Sequence, residues 1–276
     1  MRASFSAPSQ VVPPPSPTLA RDIQLDRPLR KRNLSSFLTR NVREDALLES
    51  ELLLLAFATG IQDGTTYPDF LCFASNQTGN SVLLAVGLTK LGGVPINLSN
   101  VGVSLSLFIA GGWIMGQLGN AFGCRRRLWL LVSSLLQTAM VFAAAGIIYR
   151  LGVAETGPVA LGVIALLAFS SGGQVAMARS LKITEITTAM ATAAYIDLLI
   201  DPELFKARNR PRNRRVLFLT SLVAGSFAGA FAYARVNSAF ALLISACGKL
   251  IVTFAFFFNK GIEGKTCSTT ESDASP

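Results

Sequence analysis

The chain has 276 residues, of which 51% are hydrophobic and only 15% charged, and its formal net charge is +9. Soluble domains usually carry about 25% charged residues, so the composition argues against a soluble domain and indicates a membrane protein. The basic residues cluster between apolar segments and near the N-terminus, a distribution typical of loops facing anionic lipid rather than nucleic acid. We therefore expect the lipid bilayer as a partner, anionic lipid headgroups at the basic loops, and no nucleic acid.

Catalytic chemistry has little support in the sequence. Histidine is absent, which excludes Ser-His-Asp and Cys-His sites and HExxH zinc sites. None of the four cysteines is spaced as CxxC, and they are Cys72, Cys124, Cys247 and Cys267. They predict neither a metal site nor a disulfide framework. Because no glycine-rich phosphate-binding motif occurs either, we expect no cofactor, no metal and no enzymatic activity.

The chain divides into a tail, a membrane domain and a second tail. Residues 1–45 are rich in proline, serine and arginine and predict a disordered segment, and residues 261–276 form a polar C-terminal tail. Between them lie eight apolar segments, at 46–66, 70–89, 98–122, 128–149, 157–178, 183–200, 216–234 and 238–258. Since a helix needs about 20 apolar residues to cross a bilayer, the 46–260 region predicts an all-α polytopic transmembrane bundle of about six to eight hydrophobic helices.

The first two segments flank a polar centre, which is the most informative stretch of the chain. Residues 62–80 contain amides, hydroxyls and carboxylates that neither a lipid-facing helix nor a surface loop would carry between such apolar runs. We expect a broken helix there, buried in protein or lining a cavity. The interruption is expected around residues 60–64, with a second one at 172–176.

The segments repeat with an offset of 112 or 113 residues, so that segments one to four match segments five to eight. Gln62 falls on Gln174, and Gly112 falls on Gly225. This predicts two related halves, at about 46–150 and 157–260, a pattern that recurs in transporters. The paired GxxxG motifs, at Gly112 and Gly225, predict close helix contact. That contact would form within one chain or, alternatively, in a homodimer.

Two stretches resemble a known family. Gly60-Ile-Gln-Asp63-Gly64 and the later Phe73-Ala-Ser-Asn76-Gln-Thr78-Gly79-Asn80 are similar to the motifs of the YoaK-type family, a membrane domain of unknown function. The resemblance covers roughly residues 46–260 and is looser in the second half, where Ala191-Thr192 replaces a usual Thr-Gly. It implies a polytopic membrane protein and implies no substrate.

A substrate site is predicted where the polar residues of both halves meet. Its expected members are Gln62, Asp63, Asn76, Gln77, Thr78, Gly79, Asn80, Gln174 and Lys249. A charge at membrane depth costs about 2.5–3.5 kcal/mol on insertion scales, so Asp63 and Lys249 each need a partner and are expected to serve each other. The milder interpretation places Asp63 at a helix cap and lets Lys249 extend to the membrane surface.

The pattern favours a transporter or channel-like protein for a small polar solute or ion, in the plasma membrane and multi-pass. The alternative is a non-transporting scaffold or regulatory protein whose polar core only packs helices. For topology, segment length favours seven or eight hydrophobic helices with both tails inside. The basic turn 125–127 instead favours six crossings and inverted halves, because eight full crossings would place this turn outside.

Overall fold

The computed structural model describes residues 37–93 and 96–262 of the chain. Within them, eight α-helices run from residue 46 to residue 255, joined by turns and short loops. Their bounds are Ala46–Phe70 (α1), Gln77–Thr89 (α2), Leu98–Phe122 (α3), Arg127–Leu151 (α4), Pro158–Ser180 (α5), Ala191–Leu199 (α6), Arg210–Arg235 (α7) and Ser238–Ala255 (α8). The predicted all-α fold is confirmed.

Six of these helices are long and two are short. Five, α3, α4, α5, α7 and α8, are long and apolar enough to cross a membrane. α1 has the same length as α3 and α4, 25 residues, but it carries Glu49, Glu51, Asp63 and Asp69. The 13 residues of α2 and the nine of α6 extend about 20 Å and about 14 Å, less than the roughly 30 Å of a bilayer core.

α1 is continuous through residues 60–64, and α5 is continuous through residues 172–176, so the predicted breaks at these places are wrong. The glycines there serve close packing instead. A Cβ added at Gly60 would lie 2.2 Å from the carbonyl oxygen of Leu222, and one added at Gly172 would lie 2.1 Å from that of Phe108. A glycine costs helix stability by roughly 1 kcal/mol relative to alanine, and here the cost is offset by backbone-to-backbone contact with α7 and α3.

The chain is interrupted instead directly after α1. Leu71 ends the helix in the left-handed conformation with φ 53°, and the chain then turns back along α1. Ser75 hydrogen-bonds to Asp63, which lies seven residues, or about 10 Å, before the end of the helix. The connection 71–76 therefore re-enters the bundle, and the short α2 leads out again.

One end of the bundle, here called the basic end, is defined by hydrogen bonds among three chain segments. The backbone of Asn41 pairs with Arg126, and that of Val42 pairs with Gly261. The start of α1, the α3–α4 turn and the segment after α8 thus lie together. Arg214, at the start of α7, forms ion pairs with Glu44 and Glu49 at the same end.

The other end, here called the far end, holds the opposite helix termini. Asn100, near the start of α3, donates to the Phe70 carbonyl at the end of α1 and to the Glu155 carbonyl in the α4–α5 loop. Ser238, the first residue of α8, hydrogen-bonds to Asp69 near the end of α1. Each long helix therefore runs from one end to the other.

Six passages through the bundle follow from this arrangement, and the count of eight full crossings is wrong. The turn 125–127 lies at the same end as the N-terminal segment and as residues 206–215, which agrees with the inverted alternative. α1 begins at the basic end, whereas α5 begins at the far end. Because α2 and α6 are too short to cross, three passages lie in residues 46–151 and three in residues 158–255, and α1 and α5 run in opposite directions.

The halves interlock rather than pack side by side. α1 lies against α7 and α8 of the second half, and α5 lies against α3 and α4 of the first. A Cβ at Gly225 would lie 2.0 Å from the Phe57 carbonyl oxygen, and one at Gly111 would lie 2.4 Å from that of Phe169. The Gly225 motif is thus used for close packing within one chain, the first of the two interpretations, whereas a Cβ at Gly112 would make only ordinary contact, 3.6 Å from the Gly172 carbonyl oxygen. A homodimer stays a prediction.

Segment 37–45, predicted to be disordered tail, packs against the bundle. Val42 is fully buried, and Asp45 caps α1 by accepting a hydrogen bond from the Leu48 N–H at 3.1 Å. The predicted disorder is therefore wrong for residues 37–45. The remainder of the N-terminal tail, 1–36, and most of the C-terminal tail, 263–276, lie outside the described residues.

Candidate functional site

A column of buried polar side chains fills the centre of the bundle, between α1, α4, α5 and α8. We call it the polar core. All its members are at most 5% exposed, and they are Thr59, Gln62, Ser133, Ser134, Gln137, Thr138, Ser170, Ser171, Gln174, Ser245, Lys249 and Thr253. Two helices of each half contribute to it. Because hydrocarbon offers no hydrogen-bond partners, these groups must satisfy one another or bind something polar.

The single ionisable side chain among the members of the polar core is Lys249. This residue is 1% exposed, and its ammonium donates to the Ser170 hydroxyl at 3.2 Å. Among the ion pairs of residues 37–93 and 96–262, none includes Lys249. An ammonium has three N–H donors. The Ser170 hydroxyl accepts from one of them, which leaves the others available to further groups.

Two glutamines occupy matching places in α1 and α5. The Gln62 side chain donates to the Ser245 hydroxyl at 2.9 Å, and the Gln174 side chain donates to the Thr59 hydroxyl at 2.8 Å. Gln62 also accepts from Ser171 at 3.5 Å, so α1 and α5 are linked directly. The amide oxygen of Gln174 is buried and makes no hydrogen bond to the described residues, which leaves one acceptor open.

A second network holds the re-entrant connection and lies apart from the polar core. Asn80 donates from its amide to the Phe73 carbonyl at 2.8 Å and to the Ser104 hydroxyl at 3.0 Å, and its oxygen accepts from the Phe73 N–H at 2.9 Å. Asn80 also donates to Gln77 at 2.9 Å. These bonds fix residues 71–77 against α3, so Asn80 is a structural anchor.

The predicted site is therefore divided in two. Gln62, Gln174 and Lys249 lie in the polar core. Asp63 binds Ser75, and Asn80 and Gln77 lie in the second network. Asn76 caps α2 through a hydrogen bond to the Gly79 N–H at 3.1 Å, and Asn76 and Thr78 are exposed.

The expected convergence of residues 76–80 with Gln174 is wrong. Neighbouring residues of a helix point about 100° apart, because there are 3.6 residues in a turn. Gln62 and Asp63 accordingly face different partners. Asp63 and Lys249 do not pair with each other, contrary to the prediction, because each hydrogen-bonds to a serine of its own.

The hydroxyl members of the polar core were missed from the sequence. Their spacing carried a usable signal: Ser245, Lys249 and Thr253 recur at every fourth residue, which places them on one face of α8. Ser134 and Thr138 follow the same rule on α4, and the Ser134 hydroxyl lies 2.7 Å from that of Thr253. Serine and threonine give a weak signal for such a core, because their hydroxyls can also donate to a backbone carbonyl on the preceding turn of their own helix.

An ion cluster ties three elements together at the basic end. Arg214 of α7 lies 2.7 Å from Glu49 and 3.4 Å from Glu185, and it also contacts Glu44. Glu185 belongs to the connection between α5 and α6, so the cluster joins the start of α1, the start of α7 and the α5–α6 connection. Across the described ranges, no group of three or more His, Cys, Asp or Glu residues is arranged to hold a metal ion.

These features define an integral, multi-pass membrane protein. The family model described as "Protein of unknown function (DUF1275)" matches residues 52–255, and the chain belongs to this family. The resemblance to the YoaK-type family is thereby confirmed. The comparison with curated proteins gives no match, and the comparison with solved structures gives none either.

Proposed function

We propose that this protein is a transporter or channel-like protein that moves a small polar solute or ion through the polar core, and that it is not an enzyme. The observation that carries the proposal is Lys249, a buried ionisable amine at the centre of a membrane bundle with a neutral hydroxyl as its hydrogen-bond acceptor. Ionisable residues at membrane depth are costly and usually mark solute or ion pathways. In its protonated form this ammonium would favour an anionic solute.

The arrangement of the helices supports transport. We propose that the two halves are inverted repeats, because α1 and α5 run in opposite directions and present Gln62 and Gln174 to the same centre. In transporters of this design the solute site lies at the repeat interface near the midplane, and the repeats rock about it. The polar core lies at such an interface, since α1 and α8 meet α4 and α5 there.

The distribution of charge supports one orientation in the plasma membrane. Most basic side chains of the described residues lie at the basic end, whereas Lys90, Arg150 and Arg235 lie toward the far end. Cytoplasmic loops carry an excess of lysine and arginine. We therefore place the basic end, with both ends of the membrane domain, in the cytoplasm.

A scaffold function remains the second candidate, and a specific observation favours it. Many hydroxyls of the polar core already bond to the core or to their own helix, as Thr138 does to the Ser134 carbonyl at 2.7 Å. A core that satisfies itself holds helices together without any solute. The two candidates differ in the role of Lys249, which contacts the solute in a transporter and only helps to pack helices in a scaffold.

The experiment is a solute and ion uptake profile of a deletion strain, rescued by the wild type or by Lys249→Met. Transport predicts that Lys249→Met abolishes the uptake of one anionic solute class while the protein level stays unchanged. The same substitution at the exposed Lys90 is the matched control and should leave uptake intact. If deletion changes the uptake of no solute, or if Lys249→Met rescues fully, the polar core does not transport and the scaffold is favoured.

A further inference from the structure

A cavity of about 840 Å³ opens at the basic end, where three chain segments meet. Its volume is within the range of roughly 300–1,000 Å³ that small-molecule sites occupy. The lining residues come from the segment before α1, the start of α4 and the segment after α8, and they are Phe37, Arg40, Arg43, Arg127, Phe257, Phe258, Asn259, Lys260, Gly261 and Ile262. No residue of the polar core is among them.

The cavity carries a concentrated positive charge. Arg40, Arg43, Arg127 and Lys260 line it, and none of the described residues that line it is acidic. The carboxylate of Glu51 lies behind the wall, where it accepts a hydrogen bond from the Asn259 side chain at 2.8 Å. Four cations around one cavity attract an anion, and guanidinium groups match the oxygens of a phosphate especially well.

Hydrogen bonds hold part of the cavity wall in place. Arg127 is 2% exposed and donates to the Phe37 carbonyl at 3.0 Å and to the Asn259 carbonyl, with its guanidinium 3.8 Å from the Phe37 ring centre. The backbone N–H of Arg43 donates to the Lys260 carbonyl at 2.8 Å. The fold thus fixes the Arg127 guanidinium, and it holds the backbones of Arg43 and Lys260 against each other.

The position of the cavity relative to the membrane identifies the source of the anion. Phe257 and Phe258 lie directly after α8, and their side chains are 44% and 78% exposed. They continue the apolar surface of a helix long and apolar enough to cross a membrane. Residues directly after a membrane-crossing helix are expected at the depth of the lipid headgroups, so the cavity has both cations and exposed phenyl rings in reach of a phospholipid.

We propose that this cavity binds the phosphate-bearing headgroup of an anionic phospholipid, with its acyl chains along Phe257 and Phe258. Basic pockets between membrane helices on the cytoplasmic side bind anionic headgroups in general. A bound lipid would join the N-terminal segment, α4 and the end of α8. The proposal does not depend on whether the polar core moves a solute.

The test measures the affinity of the purified full-length protein, in a neutral detergent, for short-chain phosphatidic acid. Ligand binding stabilises the folded protein by RT ln(1 + L/Kd), where L is the free lipid concentration, so the dependence of the melting temperature on lipid concentration gives the affinity. Arg43→Gln with Lys260→Gln should weaken binding about twenty-five-fold, because each basic residue contributes about fivefold. Arg179→Gln with Arg208→Gln, two exposed arginines at the same end but outside the cavity, is the matched control and should weaken binding less than about threefold.

Three outcomes would overturn the proposal. Equal losses in the two double variants would show that the lipid is attracted by the charge of the whole end rather than by the cavity. Equal binding of short-chain phosphatidylcholine would show that the acyl chains alone are recognised. Inorganic phosphate or glycerol phosphate binding as tightly as the lipid would show that the cavity serves a soluble anion.

Discussion

Asp63 holds Ser75 at two points, although the two residues lie on opposite sides of a chain reversal. One carboxylate oxygen accepts a hydrogen bond from the Ser75 N–H at 2.8 Å, and the other accepts one from the Ser75 hydroxyl. The family motif around Asp63 and the motif around residues 73–80 are thus the two sides of one contact. This contact keeps the connection 71–76 folded back into the bundle.

We expect Asp63→Ala to lower the stability of the protein by about 3–6 kcal/mol, because it removes two hydrogen bonds to a carboxylate and such bonds contribute about 1.5–3 kcal/mol each. The measurement is the melting temperature of the purified protein, together with its level in the membrane. Asp63→Asn keeps one acceptor oxygen and should lose less. A normal melting temperature for Asp63→Ala would show that the re-entrant connection is held by the Asn80 network alone.

Close backbone contact between α1 and α7 makes a second prediction. Gly225→Ala should destabilise the protein by about 3 kcal/mol, since its new methyl would lie 2.0 Å from the Phe57 carbonyl oxygen and the helices would have to separate. Gly172→Ala should behave alike at the contact of α5 with α3.

The controls for the glycine prediction are Gly102 in α3 and Gly162 in α5. A Cβ at Gly102 or Gly162 would meet nothing within 4 Å, so alanine there should be neutral or stabilise by up to about 1 kcal/mol. Melting temperatures of the four single variants decide the matter. Equal effects at Gly225 and Gly102 would contradict the packing described here.

The topology makes a third prediction. In a background without the four native cysteines, a single cysteine at residue 126 or at residue 208 should react with a membrane-impermeant thiol reagent only after permeabilisation. A cysteine at residue 155, in the α4–α5 loop of the far end, should react in intact cells. Labelling of residue 126 from outside would restore the eight-crossing arrangement and refute the inverted one.

The loop between α6 and α7 makes a fourth prediction. The Glu203 N–H, 2.8 Å from Asp201, and the Asn209 side chain, 3.1 Å from it, hold the pKa of that carboxyl below its ordinary value. A lowered pKa means that the carboxylate stabilises the loop above its ordinary pKa and that this contribution is lost as the pH falls through the lowered value. Asp201→Ala should therefore mimic acid and open the loop at neutral pH.

Limited trypsin digestion measures this opening, because Lys206 and Arg208 are exposed within the loop. Cleavage there should be severalfold faster in Asp201→Ala than in the wild type. The control is Asp197→Ala, which removes an exposed carboxylate of α6 and should leave the rate unchanged. Equal rates in both variants would show that Asp201 does not order the loop.

Much of the fold could be predicted from the sequence, because membrane helices are defined by length and hydropathy. The bounds predicted for the third segment coincide with those of α3, and those of the fourth and fifth differ from the structure by one or two residues at each end. The break that the sequence predicts at residues 60–64 lies about ten residues before the observed one, which begins at Leu71. Glycines inside a helix permit either an interruption or close packing, and only the neighbouring helix decides which.

The partners of polar residues could not be predicted in the same way. Gln62 and Gln174 were expected in the centre because the repeat supplied two matching amides. The sequence predicts a pair of Asp63 with Lys249 because both charges need a partner. In the fold each of them hydrogen-bonds to a serine instead. Which face of a helix meets which neighbour depends on its rotation about its own axis, and hydropathy that is high all round does not specify that rotation.

The interlocking of the halves has a consequence for biosynthesis. α1 meets α7 through glycine faces at Phe57 and Gly225, so its partner is synthesised about 170 residues later, on the order of ten to thirty seconds at ordinary ribosome speeds. α1 also carries more acidic residues than the helices that follow it. During that interval we expect it to reside at the insertion machinery or under a membrane chaperone rather than in lipid, and a chain that terminates before residue 210 to be degraded instead of assembling as a half.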